Sequence, residues 1–389
     1  MKSKIILIIL SLFNFNNVKS QITYDKVLWD KECNCPVAFA SINNSFESVI
    51  SNENGLFSIT TKEPNVEINM LGYYTKKINL NELKDERKVF LEPKVFVLNE
   101  VVIEQNQLFK EMLGTILNDY ALEPHLEKFY LRAVLKKNSS IIKLIDLSGK
   151  IKKETLFNIK TKPMPENNYT IQVENMRKGG IFNRDYDFTV INFEEFFKRH
   201  NSFYINQKNV NFKYNNNIDS TYTKITATQK NASNIGTLIA YFIVNNNTKN
   251  FEKASINIDY IDDFTIVGKD LKNRTKKFDV ESTFKKNKDT DKFQINNCNI
   301  NIEVEVLFKD KKDIFNLSFS YFAEPINNEE KIKNNVNHKT DIFDLNIKYN
   351  PEYWKNQEIL PLTVEMQEFI NKVNSTGKNS DFRTKSNIK

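Results

Sequence analysis

His125, His200 and His338 are the only histidines among the 389 residues, and they are the first places to look for chemistry. A zinc hydrolase holds its metal with a His-x-x-Glu pair and a distant second histidine, leaving one position open for water. Three residues after these histidines stand Lys128, Phe203 and Asp341, so no such pair exists. His338 with Asp341 comes nearest, in a strongly polar stretch that reads as solvated loop. Composition does not exclude a Ser-His-Asp arrangement, but no Gly-x-Ser-x-Gly elbow, P-loop or dinucleotide fingerprint occurs. The adjacent acids Glu194-Glu195 and Asp262-Asp263 read as surface residues, the second pair at a hairpin turn. The sequence therefore assigns no catalytic, cofactor-binding or metal-ligating residue, and no cofactor.

One aromatic cluster offers a binding surface instead. Phe196, Phe197 and Tyr204, with Arg199 and His200 between them, could line a groove for an apolar or glycan ligand. The competing reading is core packing that closes the open end of a curved sheet, and it is the weightier one in a chain with 30 phenylalanines. The thiols Cys33, Cys35 and Cys298 are too few for a metal site. A Cys33–Cys35 bridge across Asn34 alone would be strained, which leaves free thiols or one long-range bridge.

The elements that must carry these residues are mostly strands. Short alternating runs at close spacing between residues 21 and 104 predict a small β-sandwich. Leu108, Met112, Ile116 and Tyr120 then recur every four residues, and this helix opens a second region extending to residue 374. Its predicted strands are 129–135 and 141–147 around a hairpin loop at 136–140, then 169–173, 222–227, 236–244 paired with 251–260, 277–284, 293–308, 315–322 and 342–349. Two helices are predicted within it, at 194–203 capped by Asn192 and at 364–373 after Pro361. The polar stretch 375–389 reads as disordered.

Asp30, Pro36-Val37, Ala40 and Ile42, then Asn52 to Ile59 around Gly55 and Phe57, then Gly72-Tyr73, fall in the order of the carboxypeptidase regulatory-like domain, which the first region resembles. Departures are Lys26 where the family has Gly, Asn52 in place of the turn Asp, and the cysteines before Pro36. The resemblance implies a transthyretin/prealbumin-like β-sandwich with Pro36, Gly55, Phe57, Gly72 and Tyr73 as structural positions. The stretch 98–103 resembles the end of this module in exported Bacteroidota proteins, transporters included, but too little chain follows for a transporter barrel. The remainder is similar to exported β-rich proteins with a long, curved, half-barrel-like antiparallel sheet and a few helices.

Lys2 and Lys4 before the apolar run 5–13, with small residues ahead of Gln21, predict a signal peptide over 1–20. No other stretch is long and apolar enough to span a membrane, so no transmembrane segment is expected after cleavage. The net charge of +7 comes from lysines interleaved with acids, such as Lys309, Lys311 and Lys312 with Asp310 and Asp313, which argues for solvated faces and against nucleic acid. Together these readings predict an exported, non-enzymatic binding or scaffold protein of a Gram-negative envelope, in the periplasm or at the outer membrane or cell surface. Its partner would be an envelope protein, glycan or lipid. The alternative is a hydrolase with an unrecognised site in the second region.

Overall fold

Alternation of apolar and polar side chains decides the strands in both halves of the chain. The computed structural model describes residues 21–83, 86–94, 96–97, 107–158, 165, 168–182, 186–200, 210–217, 221–232, 235–327, 329–357, 359–375 and 383–388. The segment 1–20 expected as a signal peptide, the stretch 98–103 and Tyr204 lie outside the described residues. The protein is mostly β, and none of its described helices is long and apolar enough to cross a membrane.

The chain divides into two units, one of residues 1–93 with 357–363, the other of residues 94–356 with 364–389. In the first, strands β1 (Ile22–Asp30), β2 (Ser41–Asn43), β3 (Ser48–Ile50), β4 (Leu56–Thr61), β5 (Asn65–Asn69), β6 (Lys76–Asn79) and β7 (Lys88–Leu91) form two sheets. One has the order β4-β1-β7, antiparallel then parallel, and the other is β3-β2-β5-β6. Leu28, Ile42, Phe57, Ile59 and Ile68, all fully buried, join both sheets in one apolar cluster. Each comes from the inward phase of its strand, where side chains two apart share a face.

The second unit begins with β8 (Phe96–Val97) and helix α1 (Gln107–Asp119), continues with β9 (His125–Lys137), β10 (Ser140–Lys153) and β11 (Tyr169–Phe182), and then helix α2 (Phe193–His200). There follow β12 (Asn211–Asn217), β13 (Tyr222–Ala232), β14 (Ile235–Asn245), β15 (Phe251–Tyr260), β16 (Thr265–Gly268), β17 (Leu271–Lys286), β18 (Phe293–Phe308) and β19 (Lys311–Pro325). Helices α3 (Pro351–Lys355) and α4 (Val364–Ser375) and strand β20 (Arg383–Ser386) complete it. These strands build one 13-stranded sheet, ordered β20-β11-β10-β9-β19-β18-β17-β15-β14-β13-β12-β8, with β16 paired to β17 off this path. All its pairings are antiparallel, and among the described residues its end strands do not pair with each other, so it is not closed into a barrel.

The sheet is covered on its inner face and, over β9–β11, on its outer face as well. On the inner one a continuous apolar cluster takes in α1 through Phe109 and Met112, α2 through Phe193, Phe196 and Phe197, and the inward side chains of the strands. On the outer one Trp354 of α3 and Met366, Phe369, Ile370 and Val373 of α4 are buried. Gly179 of β11 lets α4 approach, since a Cβ there would lie 3.5 Å from Val373 and 3.6 Å from Phe369.

Several expectations are corrected. Cys33 and Cys35 are bridged to each other, not left as free thiols: Asn34 takes φ 53°, which brings their Cα atoms to 5.3 Å, an ordinary span for a disulfide. Cys298 is a buried free thiol. Residues 342–349, expected as a strand, instead open with a 3-10 turn at Ile342–Asp344 and continue without regular structure. Asp341 decides this, because its carboxylate accepts from the Phe343 amide at 2.7 Å and winds the chain before a ladder can form. Within 375–389, expected to be disordered, Arg383–Ser386 adds to the edge of β11. The division at Pro93 precedes the expected boundary near residue 104 because β8 already pairs with β12 of the large sheet.

Candidate functional site

Two clusters of buried titratable side chains in the second unit are built on β9, β10 and β11, one on each face. Hairpin pairing of β9 with β10 sets Arg132 directly opposite Asp146 and places Lys153 beside His125, one diagonal step from Glu127. In β9 the odd positions His125, Glu127, Phe129 and Leu131 face inward, whereas Tyr130 and Arg132 face outward.

On the inner face the Glu127 carboxylate accepts from Lys153 Nζ at 2.7 Å and from the Tyr321 hydroxyl at 3.0 Å through the same oxygen. Its other oxygen faces His125 Nε2 at 3.4 Å. His125 Nδ1 lies 2.9 Å from the Glu123 carbonyl, which can only accept, so Nδ1 carries a proton and Nε2 reaches Glu127 as a donor only in the imidazolium form. Lys153 Nζ also sits over the rings of Phe197 at 4.7 Å and Tyr321 at 5.0 Å. Burial works to raise the Glu127 carboxyl, but the Lys153 ammonium, helped by His125, outweighs it and holds the group at about 2. Burial beside Glu127 pushes the Tyr321 phenol well above its ordinary value.

On the outer face Asp146 accepts from Arg132 Nε at 2.8 Å and from Arg177 Nε at 2.6 Å. Arg132 also donates to the Tyr130 hydroxyl at 3.1 Å, and the Arg177 guanidinium stacks 4.6 Å from the centre of the Trp354 ring. Burial raises the Asp146 carboxyl and the two arginines bring it below its ordinary value.

An acid, a base, an ammonium and a phenol within hydrogen-bond reach form the raw material of acid–base chemistry. Here solvent reaches no more than 2% of the side chains of His125, Glu127 and Lys153, and Tyr321 is fully buried, so a substrate has no approach. As it stands, the arrangement neutralises charge inside a packed sheet.

The residues singled out from the sequence take other places. Phe196 and Phe197 are fully buried, packing on Phe319, Tyr321 and Tyr169, so neither offers a surface to a ligand. Arg199 is half-exposed and 3.9 Å from Glu195. His200 ends α2, its side chain is not among those described, and Tyr204 is outside the described residues. His338 and Asp341, expected in a solvated loop, point to different partners: His338 Nε2 is 3.7 Å from Glu194, while Asp341 caps the 3-10 turn. Burial pushes the Asp341 carboxyl up to about 6. Among the described residues no group of three or more His, Cys, Asp or Glu could hold a metal ion.

The motif positions of the first unit do meet in space. The Asp30 carboxylate accepts from the Glu32 and Cys33 amides at 2.7 and 2.9 Å and from the Tyr73 hydroxyl at 2.7 Å. Burial opposes the charge on Asp30, and Tyr73 and the amides overcome it, so its carboxyl lies below the ordinary value. Pro36 bridges to Trp29, and Asn52 caps the turn by accepting from Asn54 and Leu56 amides, both at 3.0 Å. Gly55 holds φ +73° where a Cβ would lie 2.5 Å from the Leu28 carbonyl, and Gly72 holds φ +94°. Lys26 donates to the Leu83 and Glu86 carbonyls.

No protein-family model and no curated protein matches the chain. Among solved structures it is similar to one titled "Lipid-protein interactions in lipovitellin", with a TM-score of 0.25 and 8% identity over 53% of this chain and 25% of that chain. The chain thus spans about a quarter of that protein, and a likeness this distant carries no argument.

Proposed function

We propose that the protein is an exported, non-enzymatic binding or scaffold component of a bacterial cell envelope. In this reading the first unit is a carboxypeptidase regulatory-like, transthyretin-type β-sandwich acting as a rigid adaptor, and the second is a curved, half-barrel-like sheet that presents a partner-binding surface. The observation that carries the binding reading is the pairing of the buried inner-face charges within the sheet. Lys153 and Tyr321 both donate to Glu127 beside the ring of Phe197, which supports reading this polar interior as part of the sheet and not as a reaction centre. The adaptor reading is supported by the Asp30–Tyr73 hydrogen bond, which ties two of the sequence motifs together, and by the tight turn at Gly55, which leaves no room for a Cβ.

Fractionation of cells, with protease shaving and mass determination of the mature N-terminus, tests export. Envelope location with a chain starting at Gln21 is expected, and cytoplasmic full-length protein overturns that half. Incubation with envelope extracts and with ester, peptide and glycoside substrates tests the other half. A retained envelope partner without turnover is expected, and turnover that survives repurification refutes it in favour of a hydrolase.

A further inference from the structure

Part of the large sheet overhangs its neighbours. β15 pairs with β17 only over Lys277–Thr283, and β9 pairs with β19 only over Phe315–Pro325. The start of β17, the end of β18 and the start of β19 therefore run on as an arm, flanked by β16 pairing through Thr265, Ile266 and Gly268 with Leu271–Asn273. Two turns close it side by side, the Lys309 amide donating to the Asp270 carbonyl at 3.0 Å.

This end is apolar and basic at once. All of β16 is exposed, with Ile266 at 74% and Val267 at 51%, consecutive residues in an uncovered strand that water disfavours. The lysines beside it look balanced by acids along the chain, but two of those acids, Glu305 and Asp313, are turned inward. Glu305 is held by Arg274 at 2.6 Å and Lys312 at 2.5 Å, and Asp313 by Lys137 at 2.8 Å and Tyr186 at 2.5 Å. Lys269, Lys272, Lys309 and Lys311 are left exposed without an ion pair among the described residues, gathered at the turns with Asp270 and Asp310, while Asp262 and Asp263 stand at the far end of β16.

We propose that this arm docks on the surface of an anionic lipid bilayer, Ile266 and Val267 entering the headgroup layer while the four lysines meet lipid phosphates. Charge complementarity selects the occupant: a neutral apolar partner would leave the lysines desolvated and unpaired, whereas an anionic interface takes both features together. The proposal names the kind of partner left open above and rests on that reading only for the presence of a membrane. Vesicle binding is measured on purified protein, so it fails or succeeds separately from the fractionation test.

The experiment is co-sedimentation of the chain from Gln21 with vesicles of phosphatidylcholine alone or with one-third phosphatidylglycerol. Binding at least tenfold stronger to the anionic vesicles, and weakened by salt, is expected. Each lysine at such a surface is worth about fivefold in affinity, so K269E/K309E should lose tenfold or more. K285E/K288E, an equal charge change among exposed residues at the opposite end of β17 and in the turn after it, should lose less than threefold. I266S/V267S should lower binding severalfold with unchanged near-UV circular dichroism. Absence of vesicle binding, equal binding to both lipids, equal losses from the two charge reversals, or an I266S/V267S variant that binds as well as the parent would each overturn the proposal. Capture of a partner strand by β16 without lipid binding would overturn it too.

Discussion

Replacing Glu127 with Gln removes one charge from a site where nothing else can compensate. The side chain keeps its shape, but Lys153 is left as a buried ammonium with 2% of its side chain exposed and no counter-ion at 2.7 Å. The magnitude follows from the carboxyl itself. Its descent from 4.5 to about 2 corresponds to about 3 kcal/mol of preference for the charged form in the folded state. Orphaning one member of a buried pair costs roughly 3–5 kcal/mol. E127Q should therefore lower the melting temperature of the second unit by roughly 10 °C, at about 2–4 °C per kcal/mol for a unit of this size. Trp354 fluorescence in a Trp29→Phe background reads that unit alone, since the chain's two tryptophans fall one in each.

The second arm is K153M, combined with E127Q. Removing both charges should recover most of the loss, because an apolar pair of similar volume is tolerated where a lone charge is not. The third arm is pH. A depressed carboxyl contributes stability that is fully present above about pH 4.5 and is lost as pH falls toward 2. Wild type should lose about 3 kcal/mol more than E127Q/K153M over that window, the difference cancelling the other carboxylates. A loss below about 1 kcal/mol in E127Q, or a double variant no more stable than E127Q, would refute the account of the inner cluster.

Other outcomes follow from single geometries. Asp146→Asn should cost about 3–5 kcal/mol in urea unfolding, since Arg132 and Arg177 would share one uncharged acceptor. Gly55→Ala should destabilise the first unit by about 2 kcal/mol or more, read as an earlier Trp29 transition, because the new Cβ meets the Leu28 carbonyl at 2.5 Å under a left-handed φ. Tyr73→Phe should cost about 1–3 kcal/mol in the same transition by removing the hydroxyl from Asp30. Ellman titration of native protein should find no reactive thiol, since burial pushes the Cys298 thiol up to about 12, and one thiol after unfolding without reductant.

Strand alternation made the large sheet legible, because inward positions such as Phe129, Leu131, Ile145 and Leu147 sit two apart and share a face. The Asn192 cap was legible too, its side chain accepting from Glu195 at 2.8 Å as a helix start requires. The buried ion clusters were only half legible. A hairpin centred near Asn138 sets Arg132 near Asp146, but Arg177 arrives from a third strand whose register shifts between Ser148 and Gly149, and Tyr321 from a fourth. No local pattern announces such encounters. The failure at 342–349 has a comparable cause: Ile342, Phe343 and Leu345 are buried like strand residues, yet they reach the core from a turn that Asp341 imposes.

The covering of the sheet limits where this unit can meet a partner. The inner face of β9–β11 is filled by α2 and its ion cluster, the outer face by Trp354 and α4. A binding surface of this unit then lies away from those covered strands, and its edges are one such place, where open strands invite pairing and are normally kept short. The end strands obey that rule, β8 with 2 residues and β20 with 4. β16 is equally short, but it exposes every side chain, and its Ile266 and Val267 make no contribution to either apolar cluster. Their replacement by Ser should therefore change stability by less than about 0.5 kcal/mol. A larger loss would mean that the arm is structural, and that the exposed isoleucine and valine are held by packing and not kept free for a surface outside the chain.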